Sequence, residues 1–395
     1  MNNKILFLLA LSTIITSCSN TNPKTEMENK EHGIILSNMD TTFSPKDDFY
    51  NFVNGNWDKK TIIPEDQVRW GGFGVLRKST DKDVLEILDK AAKSGKYPEG
   101  TDQSKAIAVF KSKLDTISRN KLGILPIKPA LDLISKINSV EDFQKVITLY
   151  ATTVSQPFFG ISAFSNPSNS SINSAYISPG GLGLPDRDFY TNKDSKSISI
   201  RAQYLNHVSR MLQFLGDDEK SAEQQAETIL NFETSLAIPR LDKVQRRDFR
   251  KLNNPRSLNE LQEMVPSLNW PLVIKDLGIE KELDTLIVMQ PKYMEVVQEI
   301  FNSADIKTWK IIMRWATLND AAGRLSTEIE KANWDFYSKT LNGAKKQRPA
   351  DERALATVNG TVGEALGKLY VDEMFPPEAK EKAEKMIANV IQAYK

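Results

Sequence analysis

Beyond His32, apolar positions recur mainly at helical spacing. Within 203–215, Tyr204, Val208, Met211, Leu212 and Leu215 fall on one stripe, with His207 beside it. This predicts a helix that buries the stripe and leaves His207 at its surface or boundary. Helical patterns also cover 221–236, 258–264, 307–325 and 331–341. One stretch departs from the rule. Phe159-Gly160-Ile161-Ser162-Ala163-Phe164 and the run from Ile172 to Ile177 flank an Asn/Pro/Ser cluster, which predicts a β-hairpin within 158–178. No internal repeat is visible, which argues against a solenoid. The expected fold class is mainly α, a multi-helical lobe with a small β-hairpin.

The last segment is the most regular. Pro376-Pro377 opens it, and Ala379, Ala383, Met386, Ile387, Val390, Ile391 and Tyr394 follow helical spacing to Lys395. Glu378 with Lys382 and Glu381 with Lys385 add favourable pairs four residues apart. No Gly, Asn or Pro ends the pattern. A helix cut off in mid-pattern and a helix that frays at the end of a protein fit this equally.

The N-terminus has a different character. Lys4 gives a short positive start, and the apolar run over 5–15 is broken only by Ser12 and Thr13. It is too short to span a bilayer, so 1–17 is expected to be a signal peptide. The run ends Ile15-Thr16-Ser17-Cys18, which resembles a bacterial lipobox. Cys18 is then the lipidated first mature residue, and several acyl chains together give a stable anchor. Residues 18–32 read as a flexible tether. The expected location is the bacterial cell envelope, exported and lipid-anchored to a membrane, the outer membrane being favoured.

Charge and residue counts exclude several classes. Lys plus Arg total 52 and Asp plus Glu 51, a net +1, so nothing points to a nucleic-acid partner. Cys18 is the only cysteine, so no intrachain disulfide can form. His32 and His207 are the only histidines and no H-E-x-x-H occurs, so the usual zincin site cannot be built from this sequence. Asp47 and Asp48 precede a helical run and read as caps rather than as an acid/base pair. Asp186 and Asp188 flank Arg187 after a Gly/Pro turn and read as turn and ion-pair residues. Gly180-Gly181-Leu182-Gly183 lacks the Lys-Ser/Thr of a phosphate loop.

Five segments carry a resemblance in order along the chain. They are Asp47-Asp48-Phe49-Tyr50-Asn51-Phe52-Val53-Asn54-Gly55-Asn56-Trp57, Arg69-Trp70-Gly71-Gly72-Phe73-Gly74-Val75-Leu76-Arg77 after Ile63-Pro64, Gly181-Leu182-Gly183-Leu184-Pro185-Asp186-Arg187-Asp188-Phe189-Tyr190, Asn254-Pro255-Arg256-Ser257-Leu258, and Val358-Asn359-Gly360 with Ala365-Leu366-Gly367-Lys368-Leu369-Tyr370-Val371. Together they resemble the neprilysin-like zinc metalloendopeptidases over nearly the whole mature chain.

The resemblance implies that 33–375 is the peptidase N-terminal domain. Within it, 33 to about 75 would belong to the catalytic lobe, the middle would roof a central chamber, and the tail from about Ala354 would run back. Residues 376–395 would begin the connection to a C-terminal catalytic domain that these residues do not include. Zinc is the cofactor of the full-length family enzyme. This chain is expected to bind none and to be inactive alone, with no catalytic residue of its own. The implied partners are short peptide substrates and the catalytic domain. Family members bind the free carboxylate of the substrate with two arginines, which match Arg69 and Arg77. Each could instead pair with an internal acid. The expected function is the substrate-restricting portion of a surface peptidase. A non-catalytic lipoprotein that binds peptides or a partner protein is one alternative. A glycan-binding uptake lipoprotein is another, which the ordered motifs disfavour.

Overall fold

A carboxylate starts the first long helix. Asp48 accepts a hydrogen bond from the Asn51 N–H at 3.0 Å and caps Phe49–Lys60, the role expected for it. In the computed structural model the described residues are 35–153, 157–279, 283 and 285–395. Cys18, the tether and His32 lie outside them. The chain divides into two compact units at Ile63/Pro64.

In the first unit, buried Asp40 binds Lys59 at 2.5 Å and accepts the Thr42 N–H at 3.0 Å. The Lys59 and Thr42 hydrogen bonds hold its carboxyl down to about 2. A Cβ on Gly55 would stand 2.8 Å from the Asp40 Cβ, so only glycine lets the helix approach here.

The second unit is mainly helical and holds two apolar cores. The smaller one joins Gly72–Ser94, Asp102–Leu114 and Ala350–Met374 through residues such as Leu88, Phe110, Val358 and Leu369. The last of these helices breaks at Val362, whose φ of −139° and ψ of 46° leave the helical region. The larger core lies under Ser195–Gln213, Glu219–Ala237, Pro291–Ser303 and Ile306–Ala321. Tyr204, Val208, Met211 and Leu212 are buried there, as the stripe predicts. Thr327–Trp334 is α-helical and runs directly into a π-helix, Asp335–Leu341.

The hairpin is present as β1 (Phe159–Asn166) and β2 (Asn169–Pro179), antiparallel, with the Asn166 side chain accepting the Ser168 and Asn169 N–H groups at the turn. It does not stand alone. Pro255–Arg256 forms β3 and Leu286–Val288 forms β4, in the sheet order β1-β2-β4-β3. β4 runs parallel to β2, and Pro255 sits at the sheet edge, where its missing N–H is tolerated. Ser257 then caps Leu258–Met264 in a capping box with Glu260.

Pro377–Tyr394 is the expected final helix and contains no buried residue. Met386, Ile387, Val390, Ile391 and Tyr394 are all more than half exposed. An exposed apolar stripe of this kind favours association. A chain ended after Phe375 is expected to keep its fold and to self-associate less than the 395-residue chain. Sedimentation of the two at equal concentration checks this, and equal association by both refutes it. Among the described residues no helix is long and apolar enough to cross a membrane.

Candidate functional site

The segment after Pro64 positions Arg69 through its backbone. The Gln67 N–H closes a turn onto the Pro64 carbonyl at 2.9 Å. The Glu65 carbonyl accepts the N–H groups of both Lys345 and Lys346 at 3.0 Å, tying this segment to the loop that carries Arg348. Trp70 folds its ring over Gly74, where a Cβ would come within 3.0 Å of the indole. Gly72 begins Gly72–Ser94, and Arg77 stands on its second turn.

These elements line one cleft of about 590 Å³, which contains Arg69, Phe73, Arg77, Lys78, Arg348 and Glu352. Lys78 straps it together, 2.5 Å from Glu352 and 3.5 Å from Asp66. The hydrogen bond to Glu352 holds the Lys78 amine above its ordinary value although burial opposes it. Arg77 lies 3.7 Å from Asp81 in an exposed pair, a weak interaction at that geometry. Arg69 is exposed and makes no hydrogen bond or ion pair among the described residues. The two arginines therefore share a cleft. Arg77 has a loose internal acid and Arg69 has none. Four cations line it against Asp81 and Glu352, an excess that suits a carboxylate bound by planar guanidinium groups.

Beside it lies a second cavity of about 370 Å³. At its wall Glu330 is buried among three cations: Lys113 at 2.9 Å, Arg119 at 2.9 Å and Arg353 at 3.0 Å. Burial pushes the Glu330 carboxyl up, but the hydrogen bonds and charges of Arg119 and Lys113 leave it below its ordinary value. Lys113 is also lowered, because burial outweighs the one carboxylate it shares with two guanidiniums.

The described residues do not suit zinc. No three of their His, Cys, Asp and Glu side chains come together where a metal could be held. His207 is not at a helix surface, as its place beside the stripe suggested, but buried. Phe336 of the π-helix stacks on it at 4.7 Å and Tyr337 and Trp315 meet it edge-on. Burial, with Arg210 nearby, pushes its pKa down to about 3, and Asp335 only partly opposes this. The folded chain thus resists a proton that the unfolded chain takes up near 6.5. Its contribution is complete above about pH 6.5 and is lost progressively as the pH falls toward 3, at up to about 1.4 kcal/mol per pH unit. His207→Leu is expected to flatten the fall in Tm between pH 6.5 and 4. An unchanged slope would show that His207 is not its source.

The Gly181-Leu182-Gly183-Leu184-Pro185 segment has a structural use that sequence reasoning missed. Glu233, fully enclosed, accepts the Gly183 N–H at 3.1 Å, the Tyr190 and Tyr204 hydroxyls at 2.8 Å each, and the Trp315 Nε1–H at 3.2 Å. Burial nevertheless pushes its carboxyl above the ordinary value. The signal was available: Glu233 continues the stripe Ala222, Ala226, Ile229, Leu236 and Ala237. Asp186 and Asp188 pair with Arg246 and Lys243, as ion-pair residues of the turn. Arg348, in a loop with no periodicity, gave no signal.

A model of peptidase family M13 matches residues 45–395. Endothelin-converting enzyme 1 of Rattus norvegicus is 26% identical over 375 residues, spanning 91% of this chain and 48% of that protein. Neprilysin-3 of Drosophila melanogaster is 28% identical over 380 residues, with the same two shares. The crystal structure of the Mycobacterium tuberculosis zinc metalloprotease Zmp1 in complex with an inhibitor matches with a TM-score of 0.82 and 27% identity, over 91% of this chain and 54% of that one. The chain spans about half the length of the curated relatives it matches.

Proposed function

This chain belongs to peptidase family M13, and from that membership we propose that it is the substrate-restricting portion of a surface zinc metalloendopeptidase that cuts short peptides. The observation that carries the reading is Arg69, an exposed, unpaired guanidinium in the cleft it shares with Arg77. In this reading Arg69 takes the free carboxylate on the leaving side of the cut and Arg77 assists. The described residues offer no zinc donor set, so zinc and the bond-breaking step belong to residues outside them, and the chain alone is inactive. The lipid anchor at Cys18 and an envelope location complete the proposal.

The test uses a protein that joins this chain to the zinc-binding half of the family. A charge-assisted hydrogen bond contributes roughly 1.5–3 kcal/mol, so Arg69→Ala should lower kcat/KM about ten- to a hundredfold for short peptides with a free carboxylate. Amidated versions should lose little. Equal losses for acid and amide, with a lowered Tm, would mean that Arg69 only braces the fold. A non-catalytic peptide-binding lipoprotein would use the same cleft, and the absence of zinc-dependent cleavage by the joined protein would favour it.

A further inference from the structure

The two cavities are not separate. Gln67, Val68 and Arg348 line both, so Arg348 stands on a shared wall. The loop that carries it is held by the paired N–H groups on the Glu65 carbonyl. Its own carbonyl accepts a hydrogen bond from Arg353, whose guanidinium is fixed in turn by Glu330. Its side chain has no acid partner among the described residues, and neither does Lys346 in the second cavity. The acids of that cavity are already engaged, Asp66 by Lys78 and Glu330 by its three cations. Four cations against two acids leave a positive excess, and the unpaired members are Arg348 and Lys346.

We propose that Arg348, assisted by Lys346, forms a second anion subsite that selects peptides whose C-terminal residue carries a side-chain carboxylate. This rests on the reading of Arg69 given above. A terminal carboxylate in the first cavity points the side chain of the same residue across the shared wall. A glutamate there meets an unpaired guanidinium, whereas a glutamine brings no charge to satisfy it. The stem of that side chain runs along Trp334 and Ala344 of the second cavity.

The 395-residue chain itself holds both subsites and is used for the test. Four labelled tripeptides, ending in Glu or Gln and each as free acid or amide, are titrated and read by fluorescence anisotropy. The Glu peptide should bind about three- to tenfold tighter than the Gln peptide, and the gap should shrink as salt rises. Arg348→Ala should erase the Glu-over-Gln preference and keep the acid-over-amide preference, while Arg69→Ala should do the reverse. Arg348→Glu should turn the preference toward a Lys-ending peptide, an outcome that a merely misfolded loop does not give. A wild-type chain that does not distinguish Glu from Gln overturns the second subsite and leaves the Arg69 reading standing. A chain that distinguishes Glu from Gln but not acid from amide overturns the Arg69 reading. No binding of any of the four at millimolar concentration overturns both.

Discussion

Gly183→Ala is expected to destabilise the chain by about 3–5 kcal/mol, or to prevent folding outright. The new Cβ would stand 1.8 Å from the Tyr204 hydroxyl oxygen and 2.6 Å from the ring carbon that bears it. Tyr204 cannot retreat. It is fully buried, packed against Trp315 and Phe336, and bound through its hydroxyl to Glu233. Either the ring leaves its place and opens the core, or the Gly183 backbone moves and withdraws its N–H from a buried carboxylate. Both add the loss of a charge-assisted hydrogen bond to the steric strain. Gly367 is the control: it lies in a helix with nothing within 4 Å of its would-be Cβ, so Gly367→Ala should gain up to about 1 kcal/mol. Urea denaturation of the two variants decides the matter. A Gly183→Ala loss below about 1 kcal/mol would mean that the close approach relaxes freely.

Glu330→Gln is expected to cost a further class of variant about 3–5 kcal/mol, because it leaves three cations around a neutral amide. The isolated pair has little meaning here. Lys113 and Arg119 are nearly as buried as the carboxylate, and they are otherwise held by carbonyls, Gly323 for the lysine and Leu325 for Arg119. Those carbonyls do not neutralise charge. Since the carboxyl sits below its ordinary value when folded, its contribution is present above the unfolded value near 4.5 and lost as the pH falls further. The Glu330→Gln penalty should therefore be largest near neutral pH and shrink in acid. A penalty within about 0.5 kcal/mol of zero at neutral pH would show that the three cations find other partners.

Much of the helical lobe was legible in the sequence because its information is local. The stripe from Tyr204 to Leu212, the hairpin with its Asn turn, and the final helix each depend on neighbours within a few positions. What was missed depends on distant partners. The parallel pairing of Tyr176 with Ile287 joins strands that no periodicity connects, so the hairpin gave no hint of a four-stranded sheet. His207 is buried only because Phe336 and Tyr337 arrive from another helix to cover it. Arg69 and Arg77 could be named because a motif holds them at a fixed spacing, and the structure brings both to one cleft. Arg348 reaches that cleft through a loop whose position is set by backbone bonds to Glu65, and a backbone carbonyl leaves no trace in the identity of its residue.

The π-helix at Asp335–Leu341 has a consequence for that loop. A π turn is an α-helix wound with extra chain in the same rise, so its length sets the rotational phase of everything after it. Removing one residue there would restore α winding and swing the downstream chain by about 100°. Lys345 and Lys346 would then present different faces to Glu65, and Arg348 would turn off the shared wall. In this helix the number of residues, as much as their identity, determines which charge faces the cleft. A single deletion far from any binding residue would act on recognition as a change of angle, with every side chain of the cleft still present.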